Sequence, residues 1–235
     1  MHDTNLRYGS PIGEEQGQDV YMGDFIVEGA GSSGTWTYYY KNGQIKAQGN
    51  LDNLEKKGKW MQFYSNGNKR SEEYYKITHN TFRESRLEGE SKWWYNNSNQ
   101  LNVVYLNKDD KNIKIESFFT KEGQQLIENG FGTYKVYYDN GSLSFTIDYK
   151  NGQRDGIATW YYENGKVSTK AIYKSGGKDH TGLRWEVIEG YDQNGNLLDL
   201  GTLKNGNGTW ITYNQYGKRQ YMKTYENGVE VKYEY

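Results

Sequence analysis

Paired carboxylates are the residues of this sequence whose type and spacing could perform acid–base chemistry. Acidic pairs occur at Glu72–Glu73 and at Asp109–Asp110. Glycoside hydrolysis needs two carboxyl groups that face each other across a cleft. Neighbouring residues of a strand point to opposite faces of a sheet, so we expect these acids to be solvated charges rather than a catalytic pair.

The histidines and the absence of cysteine further limit the kinds of metal site and active site that this chain could form. His2, His79 and His180 are not spaced as metal ligands, and the segments "KITHNTF" and "GGKDHTG" around the last two resemble solvated loops. The chain has no cysteine, which excludes a disulfide framework and a thiolate metal site. No nucleophile motif or phosphate-binding loop is present. The sequence therefore predicts no metal, no cofactor and no enzymatic activity.

The composition favours a thin, aromatic β structure. Only 34% of the 235 residues are hydrophobic, yet 16% are aromatic, and the chain contains 24 Tyr, 29 Gly and one Pro. Disordered chains lack aromatic residues, so this chain should fold around its rings. The 29 basic and 30 acidic residues are intermixed, and no basic stripe points to nucleic acid.

The chain consists largely of a sequence repeat. Units of about 24 residues follow one another, and eight can be aligned on a turn position. These positions are Gly43, Gly67, Ser98, Gly123, Gly141, Gly165, Gly195 and Gly217. Five of them are Asn-Gly pairs, for which we expect type I′ turns with positive φ at both residues. A second turn glycine follows at Gly152, Gly176, Gly206 and Gly228, so each unit is predicted to be two strands and two turns.

One large ring per unit is expected on a common face of the sheet. The strand before the turn carries a ring at one of two positions that are two residues apart. Where the first position shrinks to Ser91 or Ala158, the second becomes Trp93 or Trp160, as conserved volume in a continuous stack would require. The predicted structural stack consists of Trp36, Trp60, Trp93, Tyr134, Trp160 and Trp210.

These patterns predict an all-β fold: an elongated, single-layer antiparallel sheet of tandem β-hairpins. Residues 1–30 are acidic and rich in Gly and are expected to form an N-terminal segment and cap, and residues 31–235 the repeat domain. A single layer of this kind should have no deep cleft. No apolar run approaches the ~18 residues of a membrane helix. A chain that starts naturally at Met1 would be cytoplasmic, whereas one from which a signal peptide was removed would be exported.

The repeats resemble a known family. The segments "GTWTYYYKNGQIKAQGNL", "GKWMQFYSNGNKRSEEYY" and "GIATWYYENGKVSTKAIYKSG" are similar to the MORN-repeat variant of bacterial YwqK-type antitoxin proteins. The resemblance implies a single-layer sheet of hairpins that binds protein partners, in some cases a toxin encoded nearby. It favours an antitoxin or immunity protein that neutralises a cognate toxin by direct binding.

Two other functions remain open. One is an exported or surface-associated scaffold that binds proteins through its repeats. The other is cell-wall or glycan binding through exposed rings, although the Gly-Trp boundaries of choline- and glucan-binding repeats are absent from this sequence.

The candidate partner-binding residues lie in three irregular segments, residues 76–88, 107–122 and 174–190. Binding residues are often held on loops by a rigid scaffold, and interface hot spots favour Trp and Arg. The candidates are Trp185, Arg184, His79 and Arg83. The alternative for Trp185, which lies outside the predicted stack, is that its ring fills the core of its own unit.

Overall fold

The computed structural model describes residues 27–28, 32–79, 83–96, 100–107, 113–177, 180–214 and 216–235. Across these ranges the regular structure is strand, without a helix. Most of the segment expected at residues 1–30 lies outside the described residues; Val27–Glu28 forms a short strand that pairs with the next. The chain divides into two compact units with the boundary between Gln125 and Leu126, here called the N-terminal and the C-terminal unit.

The N-terminal unit is a meander of antiparallel strands. Its strands are β1 (Val27–Glu28), β2 (Gly34–Tyr39), β3 (Ile45–Asp52), β4 (Glu55–Phe63), β5 (Lys69–His79), β6 (Arg83–Leu87), β7 (Gly89–Trp94), β8 (Leu101–Asn107) and β9 (Ile113–Phe119). Each strand pairs with the next along the chain, except that β5 is long enough to pair with both β6 and β7.

The C-terminal unit repeats this pattern and then departs from it. Its strands are β10 (Gln125–Glu128), which begins at the unit boundary, β11 (Phe131–Tyr137), β12 (Leu143–Lys150), β13 (Gln153–Tyr161), β14 (Val167–Lys174), β15 (Leu183–Gly190), β16 (Gly208–Tyr213), β17 (Arg219–Glu226) and β18 (Val229–Glu234). Strands β16 to β18 form a separate three-stranded sheet. Between β15 and β16 the chain makes only isolated bridges, at Tyr191↔Leu197 and Lys204↔Asn207.

The predicted all-β chain of consecutive antiparallel hairpins is confirmed. The irregular segments were expected to be loops, and that expectation is wrong for much of their length. In residues 76–88, β5 continues to His79 and pairs with β6, with His79 opposite Arg83. The insertion therefore extends a hairpin instead of interrupting the sheet, because its backbone groups find partners in the same ladder.

The prediction of type I′ turns at the five Asn-Gly pairs is wrong. In the first repeat only Gly43 has positive φ, at 84°, and Asn42 does not. Tyr40 N–H donates to Gln44 O at 2.8 Å and Gly43 N–H to Tyr40 O at 2.9 Å, which defines a three-residue loop with a glycine bulge. The Asn42 side chain accepts a hydrogen bond from Gln44 N–H at 3.1 Å, so its amide caps the loop.

Type I′ geometry occurs instead at the second turns of the repeats. Both residues have positive φ at Asn129–Gly130, Asn151–Gly152, Asn205–Gly206 and Asn227–Gly228. These turns also pack on one another. Gly152 N–H donates to Gly130 O at 2.9 Å, and a Cβ on Gly130 would lie 2.6 Å from Gly152 N, so a side chain there would separate two adjacent hairpins.

In five repeats, the tyrosine three positions before the aligned turn residue joins one repeat to the next. Its hydroxyl donates to a backbone carbonyl at the corresponding place in the following repeat, at 2.6–2.9 Å. These bonds are Tyr40 to Phe63, Tyr64 to Trp94, Tyr95 to Phe119, Tyr138 to Tyr161 and Tyr162 to Tyr191. Phenylalanine would fill the same space but would leave these carbonyls without their donor.

Candidate binding surfaces

The residues of the predicted stack are buried or half-buried on the inner face of their sheets. Trp60, Trp93, Tyr134 and Trp210 are each less than 8% exposed, and Trp36 and Trp160 are half-buried. In the N-terminal unit Tyr38 lies between Trp36 and Trp60, with ring centroids 6.3 and 6.2 Å away. The indole of Trp60 also covers Gly49 on the neighbouring strand, which explains why that strand has no side chain at this position.

In the C-terminal unit the stack passes from one sheet to the other. Phe145 connects Tyr134 to Trp160, with centroid distances of 6.3 and 5.1 Å. Trp160 then meets Trp210 of β16 edge-on at 5.7 Å. The three-stranded sheet is therefore packed on the larger sheet through two of the predicted stack residues.

Arg184, a predicted contact residue, lies among the rings of the C-terminal unit. Its guanidinium carbon is 5.0 Å from the Trp210 ring centroid, and Nη1 donates to the Tyr225 hydroxyl at 2.9 Å. Burial raises the pKa of Tyr225 although the charge of Arg184 opposes it. Lys56 and Arg154 also lie between two aromatic rings, Lys56 between Trp60 and Tyr75 and Arg154 between Phe145 and Tyr173. We therefore leave Arg184 out of the proposed protein-binding surface.

Trp185 lies on the opposite, outer face of β15. The amino group of Lys174 is 3.9 Å from its ring centroid, and Gly206 lies against the ring edge, where an added Cβ would be 3.0 Å from it. On the same face Ile157 pairs with Ile172 and is 51% exposed. We call Ile157, Ile172, Lys174 and Trp185 the outer patch.

His79 and Arg83 close the β5–β6 hairpin as a backbone pair. Their side chains lie outside the described part of the structure, so the partner-binding prediction for these two residues stays a prediction.

The Glu72–Glu73 pair divides between the two faces of the sheet, as expected, but only Glu72 is a solvent-facing charge. Glu72 lies 3.0 Å from Lys59 Nζ and 3.5 Å from Lys69 Nζ. Glu73 is 3% exposed and accepts a 2.7 Å hydrogen bond from the Tyr75 hydroxyl. The expectation of a solvated charge is therefore wrong for Glu73. Asp109 and Asp110 lie outside the described residues.

The expectation that His180 is a solvated loop residue is also wrong. His180 is 6% exposed, and its carbonyl accepts a hydrogen bond from Arg154 N–H at 3.0 Å. The loop folds back onto β13 because Gly182 allows close approach to the Arg154 carbonyl, from which a Cβ would be only 2.5 Å away. Nothing in the local sequence indicates this contact, which joins strands far apart in the chain.

The described ranges contain neither a candidate metal site nor a candidate membrane-spanning helix. No cluster of three or more His, Asp or Glu side chains there has the arrangement of a metal site. In the same ranges, no helix has the length and apolar character needed to cross a bilayer.

A cleft of about 410 Å³ lies in the C-terminal unit, where no deep cleft was expected. It is bordered by the ends of β13 and β14 on one side and by β16 and β17 on the other, and Trp160 and Trp210 both line it. Sequence reasoning missed it because it assumed a single layer throughout. The cleft exists because β16 to β18 fold against the first sheet rather than extend it.

The comparison with protein families agrees with the repeat pattern. Residues 33–53, 56–76, 132–151 and 154–175 match the model of the MORN repeat variant. Each matched segment is one hairpin, namely β2–β3, β4–β5, β11–β12 or β13–β14. None of the curated proteins matches the chain. Both units thus contain segments that match the MORN repeat variant.

Proposed function

We propose that this protein is a non-enzymatic, protein-binding repeat protein that acts as an antitoxin or immunity protein. MORN repeats often mediate protein interactions, and the observation that supports binding here is the outer patch. Ile157 of β13 is 51% exposed, and the half-buried Trp185 lies on β15, with β14 between the two strands. An aromatic anchor on a rigid sheet loses little conformational entropy when a partner binds.

The surroundings of Trp185 support a role as an anchor. The amino group of Lys174 covers one part of the ring through a cation–π contact at 3.9 Å, and Gly206 limits the other side. The ring is therefore held in position before any partner arrives. Neutralisation by covering the active site of a toxin requires such a preformed surface and no catalysis.

Replacement of Trp185 tests the outer patch. We expect Trp185→Ala to weaken binding of the partner more than about tenfold and to leave Tm nearly unchanged, because the ring lies on the outer face and outside the aromatic stack. The partner is first identified by crosslinking and mass spectrometry from the native host, and its affinity is then measured by calorimetry.

Tyr74→Ala is the matched control. Tyr74 is an exposed ring, 40% accessible, with a lysine amino group 5.9 Å away, and it lies in the other unit. Equal weakening by both variants would contradict a specific role of the outer patch. A large fall in Tm for Trp185→Ala would assign its ring to packing within its own unit.

The antitoxin role needs a test of its own. Expression of the captured partner alone should arrest growth, and co-expression of the wild-type chain, but not of Trp185→Ala, should restore it. A partner that binds without toxicity would refute the antitoxin role and leave a scaffold as the function.

A further inference from the structure

We propose that the cleft of the C-terminal unit binds a short segment of a neutral oligosaccharide. This site is distinct from the outer patch and goes beyond the proposed protein-binding role. Its volume of about 410 Å³ is in the range of about 300–1,000 Å³ that is usual for small-molecule sites.

The cleft has aromatic walls of the kind that pack on sugar rings. Tyr161, Tyr213 and Tyr216 line the space beside Trp160 and Trp210. Trp210 is only 6% exposed, so the tyrosines supply most of the accessible ring surface. Tyr216 is 80% exposed, so its ring is not required to fill the core. The C–H faces of a pyranose would bury apolar surface on such rings while its hydroxyls remain at the edges.

Three polar residues face the cleft from equivalent places in three repeats of the C-terminal unit. Ser144, Ser168 and Gln220 line it, and each is the extra residue of a β-bulge, at the third position after the turn glycine. Within the described residues, their side chains make no hydrogen bond to the protein. A bulge re-aims a side chain, and here it directs three donor–acceptor groups toward the same space.

The N-terminal unit shows why the cleft is open in the C-terminal unit. In the first two repeats of that unit the corresponding bulge residues are Lys46 and Arg70, and in the third repeat the position holds the buried Asn102. The Lys46 amino group lies 5.8 Å from the Tyr40 ring, and the Arg70 guanidinium 5.8 Å from the Tyr64 ring. In the C-terminal unit Ser144 and Ser168 replace these long cations, which leaves space beside the equivalent rings of Tyr138 and Tyr162.

The charges at the cleft favour a neutral ligand. Arg184 already binds the Tyr225 hydroxyl at 2.9 Å, and Lys223 pairs with Glu230 at 2.7 Å. Glu163 is the one carboxylate among the lining residues, so neither sign of charge dominates. Hydroxyl and amide groups both donate and accept, as sugar hydroxyls do, whereas a proline-rich peptide offers acceptors but few donors. The lining therefore favours a glycan over such a peptide.

Calorimetry with defined probes tests this proposal on the full chain. The probes are cellohexaose, maltohexaose, laminarihexaose and chitohexaose, with decaproline and a thymidine decanucleotide for comparison. We expect at least one hexasaccharide to bind with Kd below about 1 mM, and Tyr216→Ala to weaken that binding about tenfold or more.

Ser168→Arg is the sharper variant, because it restores the residue type found at the same repeat position in Arg70. We expect it to fill the cleft and abolish binding while Tm stays near that of the wild type. Tyr137→Ala is the control, since Tyr137 is 54% exposed and lies outside the cleft. The proposal is overturned if no hexasaccharide binds, if Ser168→Arg binds as well as the wild type, or if decaproline is the probe that Ser168→Arg excludes.

Discussion

The hydroxyl of the tyrosine three positions before the turn residue shows how one atom connects two repeats. Tyr64 donates to the Trp94 carbonyl at 2.8 Å across 30 residues of sequence. We expect Tyr64→Phe to lower the free energy of unfolding by about 1 kcal/mol, because a part-buried carbonyl loses its donor while the ring is kept. Urea unfolding followed by tryptophan fluorescence measures this change.

Tyr74→Phe is the control for that variant. The Tyr74 hydroxyl is exposed and contacts the charged side chains of Glu72, at 3.4 Å, and Lys59, so its removal should change stability much less. Equal losses for the two variants would mean that the hydroxyl of Tyr64 does not stabilise the junction between repeats.

Asp155 makes a pH-dependent contribution to stability. Burial would raise the pKa of its carboxyl, but hydrogen bonds from the Ser175 N–H and hydroxyl, together with Lys150, hold it below its ordinary value. A carboxyl with a lowered pKa in the folded state stabilises the fold at pH values above its unfolded pKa, about 3.9, and this contribution is lost as pH falls through the folded pKa.

The matching experiment compares the wild type with Asp155→Asn across pH. We expect the wild type to be the more stable protein at pH 7, and the difference to shrink below about pH 4. Ser175→Ala should show a smaller difference of the same sign. A difference that is constant from pH 7 to pH 3 would contradict the assignment to the ionised carboxylate.

At the scale of a strand pair, a missing side chain makes room for a ring. Gly49 lies under the Trp60 indole, whose Nε1–H donates to the Asn50 carbonyl at 3.0 Å. We expect Gly49→Ala to destabilise the protein by about 1–3 kcal/mol, because the added methyl group overpacks the pair. Thermal or urea unfolding measures the loss.

A double-mutant cycle separates this contact from the general effect of an alanine in β3. In a Trp60→Leu background the indole is absent, so Gly49→Ala should cost clearly less. The same cost in both backgrounds would show that the ring is not the cause.

The turns show that the local sequence does not determine the type of turn. Asn42–Gly43 and Asn151–Gly152 are the same dipeptide, yet only Asn151 has positive φ. At Asn42 the amide instead caps Gln44 N–H and donates to the Ser65 carbonyl of the next repeat at 2.8 Å. The dipeptide predicts that the chain turns, but contacts with the adjacent hairpin select the type of turn.

For the whole molecule, stability should vary along the chain. In repeat proteins each repeat contacts mainly the neighbouring repeats. Here the strand pairings connect consecutive strands within each compact unit. We expect Gly49→Ala to increase native-state hydrogen exchange in β2 to β5 and to leave β16 to β18 nearly unchanged. Exchange measured by mass spectrometry resolves these segments. Uniform acceleration in both units would indicate that the chain unfolds as one cooperative block.

The sequence by itself determined the β-hairpin repeat, the places of its turns and the residues expected in its aromatic stack. These features depend on local periodicity and on side-chain volume, as where the small Ser91 is followed two residues later by Trp93. Only the tertiary structure decided that β16 to β18 form a separate sheet, that His180 is buried, and that Trp160 and Trp210 border a cleft. Those outcomes depend on contacts between distant segments, and a one-dimensional pattern does not specify where a repeating ladder stops and folds back on itself.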